Sequence, residues 1–460
     1  MSKPQAFLAR SPMPVAAAEL FAWHTREGAF QRLSPPWERT EVLEQGRSLA
    51  PGTRVVVRTH VGPVPQRLVA EHTEYVEGSH FQDRQVEGPF AEWVHTHRMV
   101  PDGERQSFLE DDIAYALPLG SLGSAVAGAS VEKRIRRMFA YRHALTRADL
   151  ERHAAFADRP RLEVAISGAS GLLGQSLAPF LTTGGHRVRR LVRESGSVGT
   201  GKVRWDPARG ELDLAALEGV DAVVHLAGAP ISEGRWNPAR KRLILESRQG
   251  PTRVLCEGLA RLATRPRVLV SASAVGYYGD GGEATLDEES RSGTDFLAGV
   301  CREWEDATAP AREAGIRVVN LRIGVVLTSG GGALAKMLPA FQAGAGGRIG
   351  SGRQWMSWIS LEDLVGMVHF ALMREDVSGP LNATAPAPVR QEEFARTLGR
   401  VLHRPAVAPL PAFAVKALFG EMGEALLLGG ARVMPARAGQ LGFPFLHPEL
   451  EACLRFTLGH

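Results

Sequence analysis

The segment Gly168-Ala169-Ser170-Gly171-Leu172-Leu173-Gly174 constrains this chain more than any other. It follows the apolar run Leu162 to Ser167 and opens onto Leu177, Phe180 and Leu181, so it reads as a strand, a glycine turn and a helix. Glycines at three-residue intervals let the backbone turn sharply, let a pyrophosphate approach peptide N–H groups and let the helix pack on the strand. The helix N-terminus then faces an anion. Ordinary turns also use glycine where φ is positive, but here the flanking strand and helix are both present, which favours dinucleotide binding. Gly168, Ser170, Gly171, Leu172, Leu173 and Gly174 are therefore cofactor-binding candidates.

From Leu162 onward strands and helices alternate. Strands are expected at Leu162 to Ser167, Arg187 to Val192, Lys202 to Trp205, Asp221 to Leu226, Arg267 to Ser273 and Arg317 to Leu321. Helical patterns cover Arg240 to Ala263 and Phe296 to Ala314, and this order implies a doubly wound, mainly parallel sheet with its ligand beyond the carboxyl ends of the strands. The second strand ends at Arg193, where an acidic residue would receive the ribose hydroxyls of NAD. An arginine there can pair with a 2′-phosphate, so NADP(H) is expected; an exposed strand-end charge is the plainer alternative.

Residues 5 to 155 have a different pattern. A helix carrying Val15, Leu20, Phe21 and Trp23 precedes alternating runs at Arg54 to Val61, Gln66 to Val76, His80 to Val86, Glu92 to Val100 and Ser107 to Ala116, an antiparallel sheet. Val131, Ile135, Met138 and Phe139 then recur at helical spacing among Lys133, Arg134, Arg136 and Arg137, whose charges read as a solvated face. Arg152 to Pro160 reads as a linker.

At 460 residues the chain is long enough for several folding units, and its formal charge of +4 is too small to imply nucleic-acid binding without a concentrated patch. Cys256, Cys301 and Cys453 lie far apart and form no paired motif, which fits a reducing cytoplasm. No signal-peptide core or membrane-spanning run is evident.

The N-terminal layout, together with Gln85-Val86-Glu87-Gly88-Pro89-Phe90 and Trp93-Val94-His95-Thr96-His97, resembles the START or polyketide-cyclase-like superfamily. That resemblance implies a helix-grip fold enclosing an apolar cavity. His95 and His97 share one strand face, as metal ligands do, but no third ligand is apparent; they read as ordinary strand histidines and no metal is expected.

The glycine turn, His225-Leu226-Ala227-Gly228 and Ser271-Ala272-Ser273-Ala274-Val275-Gly276-Tyr277-Tyr278 resemble the extended short-chain dehydrogenase/reductase superfamily, in its nucleotide-sugar epimerase-like branch. The resemblance covers about residues 162 to 380 and adds Leu226, Ala227, Gly228 and Ser271 to the cofactor-binding candidates. Gly234-Arg235-Trp236, Gly331-Gly332-Ala333-Leu334-Ala335-Lys336-Met337 and Gly350-Ser351-Gly352-Arg353-Gln354-Trp355 resemble an atypical epimerase-family group with an extra C-terminal domain, sometimes fused to a START-like domain.

Ordinary members of the superfamily use a serine, a tyrosine and a lysine. Ser273 matches the serine, while the register of the other two gives Leu297 and Cys301, with Glu305 four residues on. Leucine has no transferable proton, and a neutral thiol supplies no fixed cation. Tyr277 and Tyr278 remain as catalytic candidates beside Ser273, with cleft-lining aromatic roles as the alternative. Arg235 and Trp236 are placed to contact substrate, or Trp236 belongs to the core; Asp363 is expected to cap a helix.

The expected architecture is a helix-grip α+β domain at 1–155, a Rossmann-like α/β domain at 160–380 and a small, mainly helical unit at 381–460. The expected function is that of a cytoplasmic NADP(H)-binding, epimerase-family oxidoreductase acting on an unknown small molecule, with an apolar ligand in the N-terminal domain. Two other readings are kept: a non-catalytic NADP(H)-sensing regulatory protein, and a lipid or polyketide carrier that uses the Rossmann segment only as a scaffold.

Overall fold

The computed structural model describes residues 4–38, 40–46, 48–61, 64–118, 120–193 and 201–460. The chain divides into two compact units, one built on Met1–Arg159 and the other on Pro160–Leu181 and His186–Leu458.

The first unit holds strands β1 (Gln5–Met13), β2 (Glu41–Gln45), β3 (Arg54–Val61), β4 (Val64–Val76), β5 (His80–Glu87), β6 (Glu92–Pro101) and β7 (Ser107–Ala116). They form a seven-stranded antiparallel sheet in the order β1-β7-β6-β5-β4-β3-β2. Along β7 burial alternates, with Leu109, Asp111, Ile113 and Tyr115 inward. The five expected strands are joined by β1 and β2. The first is held by pairing along its whole length with β7, although its sequence, with Arg10, Ser11 and Pro12, alternates poorly. Helix α1 (Ala17–Thr25) buries Leu20, Phe21 and Trp23.

The long helix α2 (Gly120–Ala154) buries Ile135 and Phe139 and exposes Lys133, Arg134 and Arg136, as the spacing predicts. It continues into the stretch read as a linker because Leu145, Ala148 and Leu150 extend its buried face. Residues of the sheet and of α2 line a cavity of about 1190 Å³.

In the second unit, strands β8 (Glu163–Ser167), β9 (Arg187–Val192), β10 (Lys202–Asp206), β11 (Glu211–Leu212), β12 (Ala222–His225), β13 (Val268–Ala274), β14 (Arg317–Ile323) and β15 (Gly379–Ala383) make one sheet. Its order is β11-β10-β9-β8-β12-β13-β14-β15, parallel except at the β10–β11 edge. Val164, Ile166, Val223, Leu269 and Val319 are wholly buried, as expected of strands covered on both faces. The chain leaves β8 toward β9 and later returns to β12 on its other side, so the strand order reverses between β8 and β12. A crevice for a ligand belongs at that reversal.

Helices α3 (Leu172–Thr183), α4 (Pro238–Ala260) and α5 (Phe296–Asp306) follow β8, β12 and β13. The C-terminal helices Gln391–Val401 and Leu450–Leu458 place Phe394, Leu398, Cys453 and Leu454 in one core cluster with Leu334 and Trp358. The expected helix cap at Asp363 is instead Ser360, whose hydroxyl accepts from the Asp363 N–H. The buried Asp363 carboxylate accepts from the Ser360 hydroxyl at 2.8 Å and from the Leu446 and His447 N–H groups. Among the described residues no helix is long and apolar enough to cross a membrane.

Candidate functional site

The three glycines of the turn after β8 lack side chains for different reasons. A Cβ on Gly168 would lie 2.8 Å from the Leu226 carbonyl carbon and would sit at a φ of +69°. On Gly174 it would lie 2.5 Å from the Gly168 oxygen, so this glycine lets α3 seat on the turn. At Gly171 a Cβ would meet only the Gly168 oxygen, at 3.2 Å, and the residue is exposed. Ser170 is also exposed, while Leu172 and Leu173 are half-buried at the start of α3. The first N–H groups of a helix have no intrahelical acceptor, so this turn presents donors at the carboxyl end of β8.

The close approach at Gly168 brings Leu226 and Ala227 beside the turn. Gly228 follows on the surface. His225, just before them, is buried between the Ser167 hydroxyl at 2.6 Å and the Thr252 hydroxyl at 2.9 Å, and burial pushes its pKa down to about 4. It is a neutral strut rather than a titrating group. Arg193 lies exposed one residue beyond β9 and has no ion-pair partner among the described residues. Ser271 differs from the other cofactor candidates: it is fully buried within β13, and its hydroxyl reaches only the Ala272 carbonyl, at 3.4 Å. Its register, level with His225 and Ser167 at the ends of β12 and β8, places it at the carboxyl end of the sheet, beneath the surface.

Ser273, near the end of β13, lies at that end too, and its hydroxyl donates to Glu305 Oε1 at 2.7 Å. Glu305 also accepts two hydrogen bonds from Arg322, both at 2.9 Å. The sheet sets this contact, because Ser273 and Arg322 are cross-strand partners in β13 and β14. Burial opposes the Arg322 charge, but the hydrogen bonds and charge of Glu305 outweigh it and raise its pKa further. Arg322 also donates to the Tyr278 hydroxyl at 3.0 Å, and that hydroxyl donates to Asn382 at 2.7 Å. Burial pushes the phenol of Tyr278 up to about 12, with Arg322 pulling the other way.

Tyr277 lies with its ring centroid 3.4 Å from the Arg322 guanidinium carbon, and among the described residues its hydroxyl has no hydrogen-bond partner. Leu297 and Cys301 occupy the face of α5 that packs on the turn after β13. A Cβ on Gly276 would meet Leu297 at 3.3 Å and the Cys301 sulfur at 3.8 Å. Burial pushes the Cys301 thiol up to about 12, so it is a neutral, non-nucleophilic group. Arg322 and Asn382 escaped the sequence reading. Only the pairing of β14 and β15 onto β13 brings them here, and no local motif marks them.

Trp236 is 8% exposed and belongs to a core cluster with Ile244, Val300 and Met422. Arg235 donates to the Ala417 carbonyl at 2.7 Å, and Lys336 donates to the Ser232 hydroxyl at 2.8 Å. The Gly331-Gly332 turn meets Leu172 of the glycine turn. The motif segments after β12 and β14 thus gather at the same end of the sheet as Ser273.

In the first unit, Asp111 accepts from His95 Nε2 at 2.9 Å and contacts His143 Nε2 and His97 Nδ1, each at 2.6 Å. The His97 ring is turned away from an aligned hydrogen bond despite that short distance. Burial alone would raise Asp111, yet the charge of His97 beside it and the hydrogen bonds of His143 and His95 hold it well below the usual carboxylate range.

Comparison with known proteins follows the same division. The pattern of the "NAD dependent epimerase/dehydratase family" matches residues 164–383, that of "Polyketide cyclase / dehydrase and lipid transport" matches 13–144, and a domain of unknown function matches 410–457. An epimerase family protein of Mycobacterium bovis is 45% identical over 294 residues, which cover 64% of this chain and 97% of that protein. A solved nucleoside-diphosphate sugar epimerase from Corynebacterium glutamicum is 34% identical with a TM-score of 0.80, covering 98% of this chain and 90% of that one. The human epimerase family protein SDR39U1, solved with NADPH, is 36% identical with a TM-score of 0.59, covering 64% of this chain and 98% of that one.

Proposed function

The chain belongs to the NAD dependent epimerase/dehydratase family, and from that premise we propose that it is an NADP(H)-binding oxidoreductase whose small-molecule site works without the family's usual tyrosine and lysine. The human relative solved with NADPH supports the cofactor. So does the turn itself. Gly168 and Gly174 are filled by the chain, whereas Gly171 keeps an open side at a helix N-terminus. Gly168, Ser170, Gly171, Leu172, Leu173 and Gly174 would form the pyrophosphate cradle, with backbone N–H groups from the start of α3 as donors; Gly171, whose own N–H is held by the Gly168 oxygen at 2.9 Å, would leave room for the ligand, and Leu226, Ala227 and Gly228 lie beside them. Arg193 would pair with the 2′-phosphate, and Ser271 acts only by supporting β13. When bound, NADP(H) supplies the hydride donor or acceptor.

One observation carries the reading of the site: the groups that could move a proton are already committed. Ser273 donates to Glu305, Arg322 is spent on Glu305, and the Tyr278 hydroxyl is engaged on both sides. Tyr277 carries the uncommitted hydroxyl of the pair, close to the Arg322 cation. In this proposal Tyr277 exchanges the proton, and Ser273, whose own proton is held by Glu305, offers only its lone pairs to a substrate hydroxyl. General acid–base help contributes about 10² to 10⁴ in rate, so a weakened site still allows slow hydride transfer driven by positioning. The same commitment of groups favours a second reading, an NADP(H) sensor without turnover.

Mass spectrometry of small molecules retained by freshly purified protein, followed by NADPH oxidation with a nucleotide sugar and a simple ketone, tests both readings. Retained NADP(H) with slow turnover lost in Tyr277→Phe is the expected result. Retained cofactor with no turnover selects the sensor. Ordinary enzymatic rates, unchanged in Tyr277→Phe and Tyr278→Phe, would overturn the assignment of roles.

A further inference from the structure

The floor of the N-terminal cavity carries a group of side chains that the epimerase reading leaves unused. Asp83 on β5 is the direct cross-strand partner of His95 on β6, and Asp111 on β7 is the partner of His97. All four therefore share one face of the sheet. Asp83, His95 and His97 line the cavity, and Asp111 stands behind them.

Their distances distinguish two kinds of contact. On the far side, Asp111 holds His95 Nε2 at 2.9 Å and His97 Nδ1 at 2.6 Å, and is itself braced by His143 at 2.6 Å. The other ring nitrogens face Asp83: His95 Nδ1 lies 3.6 Å from Asp83 Oδ1, and His97 Nε2 lies 3.9 Å from it. These separations exceed hydrogen-bond length. They are a few tenths of an ångström wider than the edge of a coordination tetrahedron, about 3.3–3.4 Å for ligand atoms about 2.0–2.1 Å from one ion, a gap that small side-chain rotations close. Among the described residues the Asp83 carboxylate takes no hydrogen bond, although its side chain is only 16% exposed. A carboxylate so enclosed is costly without a partner.

We propose that Asp83, His95 and His97 form a binding site for a first-row divalent cation such as Zn²⁺ or Fe²⁺, with its remaining coordination positions open to the cavity. Two imidazoles and one carboxylate are the donor set such ions take when a position is left for an exogenous ligand. Asp111 completes the arrangement as the carboxylate that fixes the His95 ring by a hydrogen bond and holds His97 Nδ1 by charge at 2.6 Å, while the other nitrogen of each ring faces Asp83. Arg142, which also faces Asp83 and Asp111, balances part of their charge when no ion is bound. A metal here would give the cavity a Lewis-acidic floor beneath largely apolar walls. The ligand class it favours is a hydrophobic molecule carrying a carbonyl, enolate or carboxylate oxygen.

The test uses the full chain, stripped with a chelator, reloaded with Zn²⁺ or Co²⁺ alone and passed through gel filtration. Elemental analysis should find one ion per chain, and the Co²⁺ form should show visible d–d bands of a low-symmetry site. His97→Ala and Asp83→Asn should lose the retained ion and the bands while still binding NADPH as the native chain does. Asp111→Asn, which keeps all three ligands, should weaken metal affinity about 10- to 100-fold. Failure of the native protein to retain either ion overturns the proposal without reference to any variant. So does undiminished retention in the double variant of His97→Ala with Asp83→Asn.

Discussion

Two buried polar clusters, one in each unit, show opposite ways of meeting the cost of burial. At the end of the parallel sheet, Ser273, Glu305, Arg322, Tyr278 and Asn382 satisfy one another at 2.7 to 3.0 Å. On the antiparallel sheet, Asp111 satisfies His95 and His143, whereas Asp83 stands 3.6 Å or more from the rings it faces. The first cluster is closed and stabilises the site around it. The second lines a cavity and leaves the Asp83 carboxylate outside hydrogen-bond distance of the rings it faces. Burial and charge alone do not distinguish them; the completeness of the hydrogen bonding does.

Removing a partner should therefore have unequal effects. Glu305→Ala leaves the buried Arg322 guanidinium without its carboxylate and should cost about 3–5 kcal/mol in the unfolding of the second unit. Asp83→Asn should leave the unfolding midpoint of the first unit unchanged or raise it, because no hydrogen bond is lost. Denaturant titrations of the two variants make the comparison, and equal losses would break it.

A smaller effect follows from His225. Its folded pKa of about 4 lies below the unfolded value, so between pH 6.5 and 4 the unfolded chain takes up a proton that the folded chain refuses. Stability is complete above pH 6.5 and falls as pH drops toward 4, by about 3 kcal/mol in total. His225→Asn should remove this part of the acid sensitivity, read as a flatter dependence of the unfolding midpoint on pH.

The glycine turn sharpens the same distinction at backbone level. Gly168→Ala forces a Cβ against Leu226 at positive φ and should cost about 1–3 kcal/mol of stability. Gly171→Ala should leave stability nearly unchanged while weakening NADPH, because the space it fills belongs to the ligand. Thermal unfolding and NADPH titration of the two variants separate these outcomes.

Much of this was legible in the sequence wherever the signal was local. The glycine turn and the parallel strands follow from short-range pattern, whereas the register that sets Leu297 and Cys301 opposite a tyrosine and a lysine rests on the family resemblance. What escaped was long-range. Strand β1 is specified by its partner β7 more than by its own residues, Arg322 and Asn382 reach Ser273 only through neighbouring strands, and Asp83 comes to face His95 and His97 only through the register of β5 on β6. Sequence spacing carries no information about such pairings until the sheet is assembled.

The central claim, that the glycine turn and Arg193 form an NADP(H) site even though the usual proton-transfer pair is missing, is tested most directly by titrating NADPH and NADH onto the native chain and onto Arg193→Ala. The native protein should bind NADPH about tenfold or more tightly than NADH, the equivalent of one lost charge-assisted contact, and Arg193→Ala should erase that difference. Equal affinity of the native protein for the two nucleotides, or binding of neither, would contradict it.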